Sequence, residues 1–281
     1  MLAKPKLSFT EIKDVIRVLS GDVDKFSDSE LYQYFKRLTI GLPMQTLNFQ
    51  RGLLFRGRSN IGSTLFENIS ELWYPPIGEI RPNRFNDKNT QVLYVADAKS
   101  TVIQEIKSPP GSIVTLITFS ATEQITTLPI GISYGVTKQQ IFNTDLLRKD
   151  NFKKAEYFHN DQNLIKIDQI VMKFLFDIVT KENITGNFKE YRLTNIIAKH
   201  LFQAKIDGLL YPSISRKLYD INMALKKESK SKLKVTQVDV IKMDSAIEGR
   251  FELIACSNQF GSNGEIIYNN QCGSFTEMIK I

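Results

Sequence analysis

An α+β fold follows from two kinds of apolar pattern in these 281 residues, one with the period of helices and one in short β-type runs, and from their alternation along the chain. Helical spacing marks Ile12, Val15, Ile16 and Leu19, then Leu31, Tyr34, Phe35 and Leu38, and later the stretches 164–178 and 193–201. Strand-like runs occupy 53–56, 91–96, 112–119, 208–211, 221–225, 235–243 and 250–256.

The first two helices carry their own start signals. Ser8 precedes Glu11, and Ser27 precedes Glu30, each at capping-box spacing, while Gly21 and Gly41-Leu42-Pro43 stop the periods. About 45 residues cannot form an independent core. Residues 1–46 therefore read as a small N-terminal helical appendage, a docking or regulatory piece, packed on a main domain of residues 47–281.

Within that domain, 73–89 is rich in Pro, Gly and Asn and reads as a loop over a site. A short helix over 98–107 ends at Pro109-Pro110-Gly111. Asn263-Gly264 predicts a hairpin turn before a strand at 265–268. The charged tract 226–232 reads as a solvated loop.

Bulk properties exclude several function classes. The 37 basic and 30 acidic residues leave +7, which favours anionic ligands without separating a nucleotide from a nucleic acid. A nucleic-acid module would add a binding motif or a basic stripe interleaved with aromatics, and neither is present. Cys256 and Cys272 are too few for a disulfide framework, and with His159 and His200 as the only histidines no metal site is expected. Residues 1–6 are not followed by a signal-type apolar core, and no run is long enough to span a membrane, so a cytoplasmic location is expected. The sequons at 68–70 and 183–185 are then chance matches.

Candidate chemistry sits in four segments. In Leu54-Phe55-Arg56-Gly57-Arg58, alternation puts Arg56 and Arg58 on one face. Arg56 is open to an anion or an ion pair, and Arg58 is read as a structural ion pair. Arg84, in Asn83-Arg84-Phe85-Asn86, can reach over a pocket from a loop end. Tyr94 lies on a strand buried on both sides and needs a partner for its hydroxyl. Glu105 borders the buried stripe of the 98–107 helix, and Ser213 follows Pro212 directly after a strand, where it can cap a turn or hold a substrate.

These segments, together with Tyr74-Pro75-Pro76, Val92-Leu93-Tyr94-Val95-Ala96 with Glu105 eleven residues after Tyr94, Asp207-Gly208-Leu209-Leu210-Tyr211-Pro212-Ser213 and Asn222, resemble the RES domain. That family comprises NAD-degrading enzymes, often bacterial toxins, and the resemblance runs from about Leu54 to Leu225. It implies an ADP-ribosyltransferase-like core, with Arg56, Tyr94, Glu105 and Ser213 as catalytic residues and Arg84 and Asn86 as substrate-binding residues. It further implies NAD as substrate with no resident cofactor or metal, and an antitoxin protein as partner. The sequence departs from the family in having Asn83 where glycine usually precedes the second arginine, a position where asparagine tolerates positive φ.

Cleavage of the nicotinamide–ribose bond builds positive charge on the ribose, which a carboxylate at the 2′-hydroxyl stabilises. On this reading Glu105 supplies the carboxylate, Arg56 and Arg84 clamp the diphosphate, Tyr94 faces the cationic ring, and Ser213 positions a phosphate or the acceptor. Water or phosphate as acceptor makes a glycohydrolase or phosphorylase; a protein acceptor makes an ADP-ribosyltransferase. The rivals from other classes are a nucleic-acid-binding module and a non-catalytic interaction protein.

Overall fold

The computed structural model describes residues 7–42, 44, 46–50, 52–132, 162–181, 191–213, 220–244 and 250–269, and the backbone of 276–278. Expectations for residues 1–6, Pro43, His159, the sequon at 183–185 and Cys272 fall outside these.

Both capping boxes close as their spacing predicts. The Glu11 carboxylate accepts from the Ser8 backbone N–H at 2.8 Å, the Glu30 carboxylate from that of Ser27 at 2.8 Å, and the serine hydroxyls accept in return. These caps start α1 (Phe9–Ser20) and α2 (Asp28–Thr39). The apolar stripes Ile12, Leu19, Leu31 and Phe35 are buried against α4 (Gln162–Val179) and α5 (Arg192–Leu201) in one continuous core. Phe35 adds an edge-on ring contact with His200 on α5 at 5.5 Å. The N-terminal pair is thus half of a four-helix layer that shares its core with the rest of the chain.

The helical layer covers one face of a ten-stranded mixed sheet. Its strands are β1 (Leu47–Phe49), β2 (Leu53–Ser59), β3 (Val92–Ala96), β4 (Ile113–Ala121), β5 (Ile125–Pro129), β6 (Gly208–Pro212), β7 (Ile221–Lys226), β8 (Leu233–Met243), β9 (Arg250–Ser257) and β10 (Thr276–Met278). Their spatial order is β1-β5-β6-β7-β3-β2-β4-β8-β9-β10, antiparallel throughout except for β5 beside β6. The two halves meet at β2 and β3, which pair through Phe55 and Ala96 alone. Elsewhere along this seam no residue pairs are in register.

Beyond the seam, α3 (Lys99–Ile106) packs its buried Val102 and Ile103 on Phe55, Ala96 and Leu116. Gly57 allows the close fit, since a Cβ there would lie 2.0 Å from Ile106 Cδ1. The helix ends with Lys107 in the left-handed region at φ 48°, just ahead of Pro109. The register Ala96–Asn222–Tyr211 and its neighbour Tyr94–Ala224–Leu209 set Tyr94, Asn222 and Tyr211 on one sheet face, where Ala96 and Ala224 leave room for the rings.

Several expectations are corrected. The charged tract is a short 3-10 segment, Lys227–Lys232, that leaves Lys227, Glu228, Lys230 and Ser231 exposed as expected but is fastened at three points: Lys232 pairs with Asp207 at 2.8 Å, buried Ser229 donates to the Asp207 carbonyl, and Lys226 reaches the carbonyls of Phe202 and Ala204. Gly264 makes the predicted turn at φ 86°, but 265–268 joins its neighbours through isolated bridges instead of a strand. The loop expected to cover the site divides its work, with buried Trp73 packing on the opposite sheet face and Asn83 and Arg84 reaching the cleft. Cys256 is disulfide-bonded. No helix among the described residues is long and apolar enough to cross a membrane.

Because Phe35 is fully buried in the shared core, Phe35→Ala is expected to cost about 3–5 kcal/mol of global stability. Denaturant unfolding should remain a single transition; a separate early transition for the N-terminal helices would contradict the shared core.

Candidate active site

The seam, the α3 wall, the turn at 83–84 and the residue before α5 line a cleft of about 760 Å³, within the usual range of about 300–1,000 Å³ for small-molecule sites. Tyr94, Asn222 and Tyr211 form its floor, Glu105 and Lys107 project from the α3 side, and Asn83, Arg84 and Tyr191 close the side opposite. Arg56 stands at the seam itself.

Among the described residues lining the cavity, Glu105 is the one acidic group. Its Oε1 accepts from Ser213 Oγ at 2.6 Å and from Asn222 Nδ2 at 2.8 Å, across more than a hundred residues of sequence in each case. Ser213 is fully buried, placed by the end of β6 and by its own N–H donating to the Asp220 carbonyl at 2.9 Å. Two fixed donors on one oxygen lock the carboxylate rotamer, and no partner within the protein engages Oε2 among the described residues. Ser213 does not line the cavity; it acts on Glu105 from behind.

Arg56 occupies the gap left where β2 and β3 part. Its Nη1 donates to the Tyr94 carbonyl at 3.2 Å, an edge acceptor that strand pairing does not use, while its Nε is buried with no hydrogen-bond partner. Among the described residues no carboxylate pairs with it, so the ion-pair alternative drops away and an anion-ready donor remains. Burial, with a smaller push from the Arg58 charge, lowers its pKa to about 10, which leaves it charged at neutral pH. Arg58, read from sequence as an ion pair, instead donates to the Glu71 carbonyl and lies over the Phe66 ring at 4.8 Å.

Tyr94 has its hydroxyl fully engaged, donating to Asn86 Oδ1 at 2.9 Å and accepting from the Phe85 N–H at 2.9 Å. Burial first raises this phenol far above its ordinary range, so it stays neutral and offers the cavity its ring rather than a titrating group. Asn86 is buried, donates to the carbonyls of Arg81 and Asp87, and stands behind Tyr94 instead of lining the cavity. Asn83 and Asn86 exchange backbone bonds of 2.9 and 3.3 Å, so Arg84 and Phe85 form the tip of a tight turn. Asn83 does not adopt positive φ: among the described residues Lys107 is the sole non-glycine that does. The missing glycine is therefore not needed for the turn.

Three residues of the site were not assigned a role from sequence. Asn222 and Tyr211 belong to quoted motifs but owe their place to strand register, and Tyr191 carries no sequence signal at all. Tyr211 is buried edge-on to Phe85 at 4.8 Å, and burial raises its phenol well above the ordinary value, helped by the nearby Glu105 charge. Its hydroxyl has no hydrogen-bond partner among the described residues.

A model of the RES domain matches residues 64–244, well over half of the chain. The chain belongs to the RES domain family. No curated protein matches it. Membership points to NAD-related enzyme activity for the chain, and the matched stretch holds the cavity residues named here except Arg56, which precedes it.

At the start of α3, Asp97 accepts from the Ile221 N–H at 3.4 Å, and Asp220 accepts from the Thr101 hydroxyl. Burial, then the Asp220 charge, raises the Asp97 carboxyl to about 6. The folded protein thus holds this proton more tightly than the unfolded chain, whose carboxyl titrates near about 4. Stability contributed here falls as pH rises from there to the folded value and is level above it. Asp97→Asn should raise stability at pH 7 by on the order of 2 kcal/mol, and the gain should vanish below about pH 4. Urea melts across that range check it; a gain that persists in acid would show that charge is not the cause.

Proposed function

We propose that this RES protein cleaves the nicotinamide–ribose bond of NAD, with water or phosphate as acceptor. The observation that carries the reading is the Glu105 carboxylate, held through one oxygen by Ser213 and Asn222, in a residue that lines a cavity also presenting Arg56 and Arg84.

The chemistry follows from that arrangement. As neutral nicotinamide departs, positive charge grows on the ribose, and a carboxylate that hydrogen-bonds the 2′-hydroxyl gains strength as it does so. Holding Glu105 in one rotamer means little reorganisation is required at that moment. The unpaired Arg56 donor and Arg84 suit the diphosphate, and the Tyr94 ring offers an aromatic face to the cationic nicotinamide. Ser213 and Asn86 act one layer back, on Glu105 and Tyr94. A protein acceptor, which would make the enzyme an ADP-ribosyltransferase, passes through the same charge development.

An NAD-consuming activity of this kind is toxic where NAD is made, so we place its action in the cytoplasm and its natural partner as an antitoxin that covers the cavity. A reducing cytoplasm would open the disulfide at Cys256, so activity should not depend on it.

Incubation of the purified protein with NAD, with and without phosphate, followed by product identification, tests the reading. Free nicotinamide together with ADP-ribose identifies hydrolysis, and a phosphorylated ADP-ribose identifies phosphorolysis. Glu105→Gln should lower kcat by about 10²–10³ while leaving KM within a few-fold. Unchanged NAD consumption by that variant would remove Glu105 from the mechanism. Ser213→Ala and Asn222→Ala, each leaving Glu105 one donor, should lower kcat by about tenfold, the worth of one hydrogen bond to a charged group.

A further inference from the structure

The side of the cavity opposite α3 includes Tyr191, the residue that caps α5, and the arginine that follows it ties the start of α5 to the N-terminal pair. Arg192, the first residue of α5, uses its whole guanidinium: Nε donates to Asp28 at 2.7 Å, Nη1 to the Val23 carbonyl at 2.9 Å and Nη2 to the Phe26 carbonyl at 2.6 Å, with Asp24 at 3.5 Å. Three acceptors set around a planar fork fix its position in a way that a flexible ammonium could not. The acceptors all belong to the link between α1 and α2 or to the first turn of α2.

The preceding residue, Tyr191, lines the cavity. Its ring centroid is 5.5 Å from Arg84 Cζ, and Arg84 also donates to the Lys181 carbonyl, two residues past α4. Among the described residues Tyr191's side chain has no polar partner besides Arg84. Its ring therefore stands at the cavity beside a cation suited to phosphate, the pairing that a flat heterocycle joined to a diphosphate would fill.

We propose that Tyr191 contacts substrate, taking the adenine ring of the dinucleotide while Tyr94 faces the nicotinamide, and that Arg192 is a positioning residue acting through it. The N-terminal helical pair, which precedes the stretch matched by the RES model, then becomes part of the binding machinery. The proposal rests on the dinucleotide reading of the cavity.

Tyr191→Phe, Tyr191→Ala, Arg192→Ala and the Tyr191→Ala/Arg192→Ala double variant test it, each read by NAD turnover and by calorimetric titration with ADP, which has a ring and a diphosphate but no scissile bond. Tyr191→Phe should stay within about twofold of the parent, because the ring is retained. Tyr191→Ala should raise KM and the ADP Kd by about fivefold with kcat little changed, the worth of one aromatic pair. Arg192→Ala should weaken binding to the same extent, and the double variant should be no weaker than Tyr191→Ala alone. Should Arg192→Ala fail to fold, Asp28→Ala, which removes one of its acceptors, is read instead. ADP binding by Tyr191→Ala equal to the parent, or additive losses in the double variant, would overturn the proposal. A parent protein that binds ADP in a Tyr191-dependent way yet leaves NAD intact would reject the reaction and keep this inference; turnover that ignores Tyr191 would reject this inference alone.

Discussion

A sheet that nearly comes apart governs this structure. β2 and β3 share one registered residue pair, Phe55 and Ala96, where every other pair of neighbouring strands shares three or more. Separating paired strands exposes backbone acceptors that need donors, and Arg56 meets one of them by donating to the Tyr94 carbonyl. Continuous pairing across the seam would bury that carbonyl in a ladder, remove the opening and leave Arg56 without a place. The cavity and its buried cation have one cause.

The catalytic carboxylate proposed here depends on the same opening. Glu105 projects from α3, which rests on β2 because Gly57 has no side chain to block it, and the donors that hold the carboxylate come from β7 and the end of β6 in the other half of the sheet. The Glu105 bonds therefore bridge the gap between the halves just where pairing is lost. Relative movement of the halves would alter the Glu105 rotamer and the Arg56 position together, which couples the two parts of the proposed site.

Much of the fold was legible because its signals are local. The capping boxes at Ser8 and Ser27 specify helix starts within four residues, and the apolar stripes of α4 and α5 repeat with an unambiguous period. β1 escaped because three residues carry no period, and β5 because Ile125–Pro129 is short and ends in proline. The strand expected at 265–268 failed because turn chemistry at Asn263-Gly264 sets a reversal without supplying a partner ladder. Asn83 shows the limit of an argument from residue type, since tolerance of positive φ does not mean that the turn requires it.

What the chain alone determined was the inventory: helix ends, most strands, and a set of guanidinium, phenol, carboxylate and hydroxyl groups whose order resembles one family. Residue type and spacing decide these through interactions that reach only a few positions along the backbone. Which groups meet was decided by packing and register. Ser213 and Asn86 became supports rather than cavity walls, Tyr211 and Asn222 came to share a face with Tyr94, and Tyr191 joined Arg84 through a helix anchored by α1 and α2. A one-residue slip of a strand would reverse every such face while leaving its local pattern intact, which is why only the assembled sheet settles them.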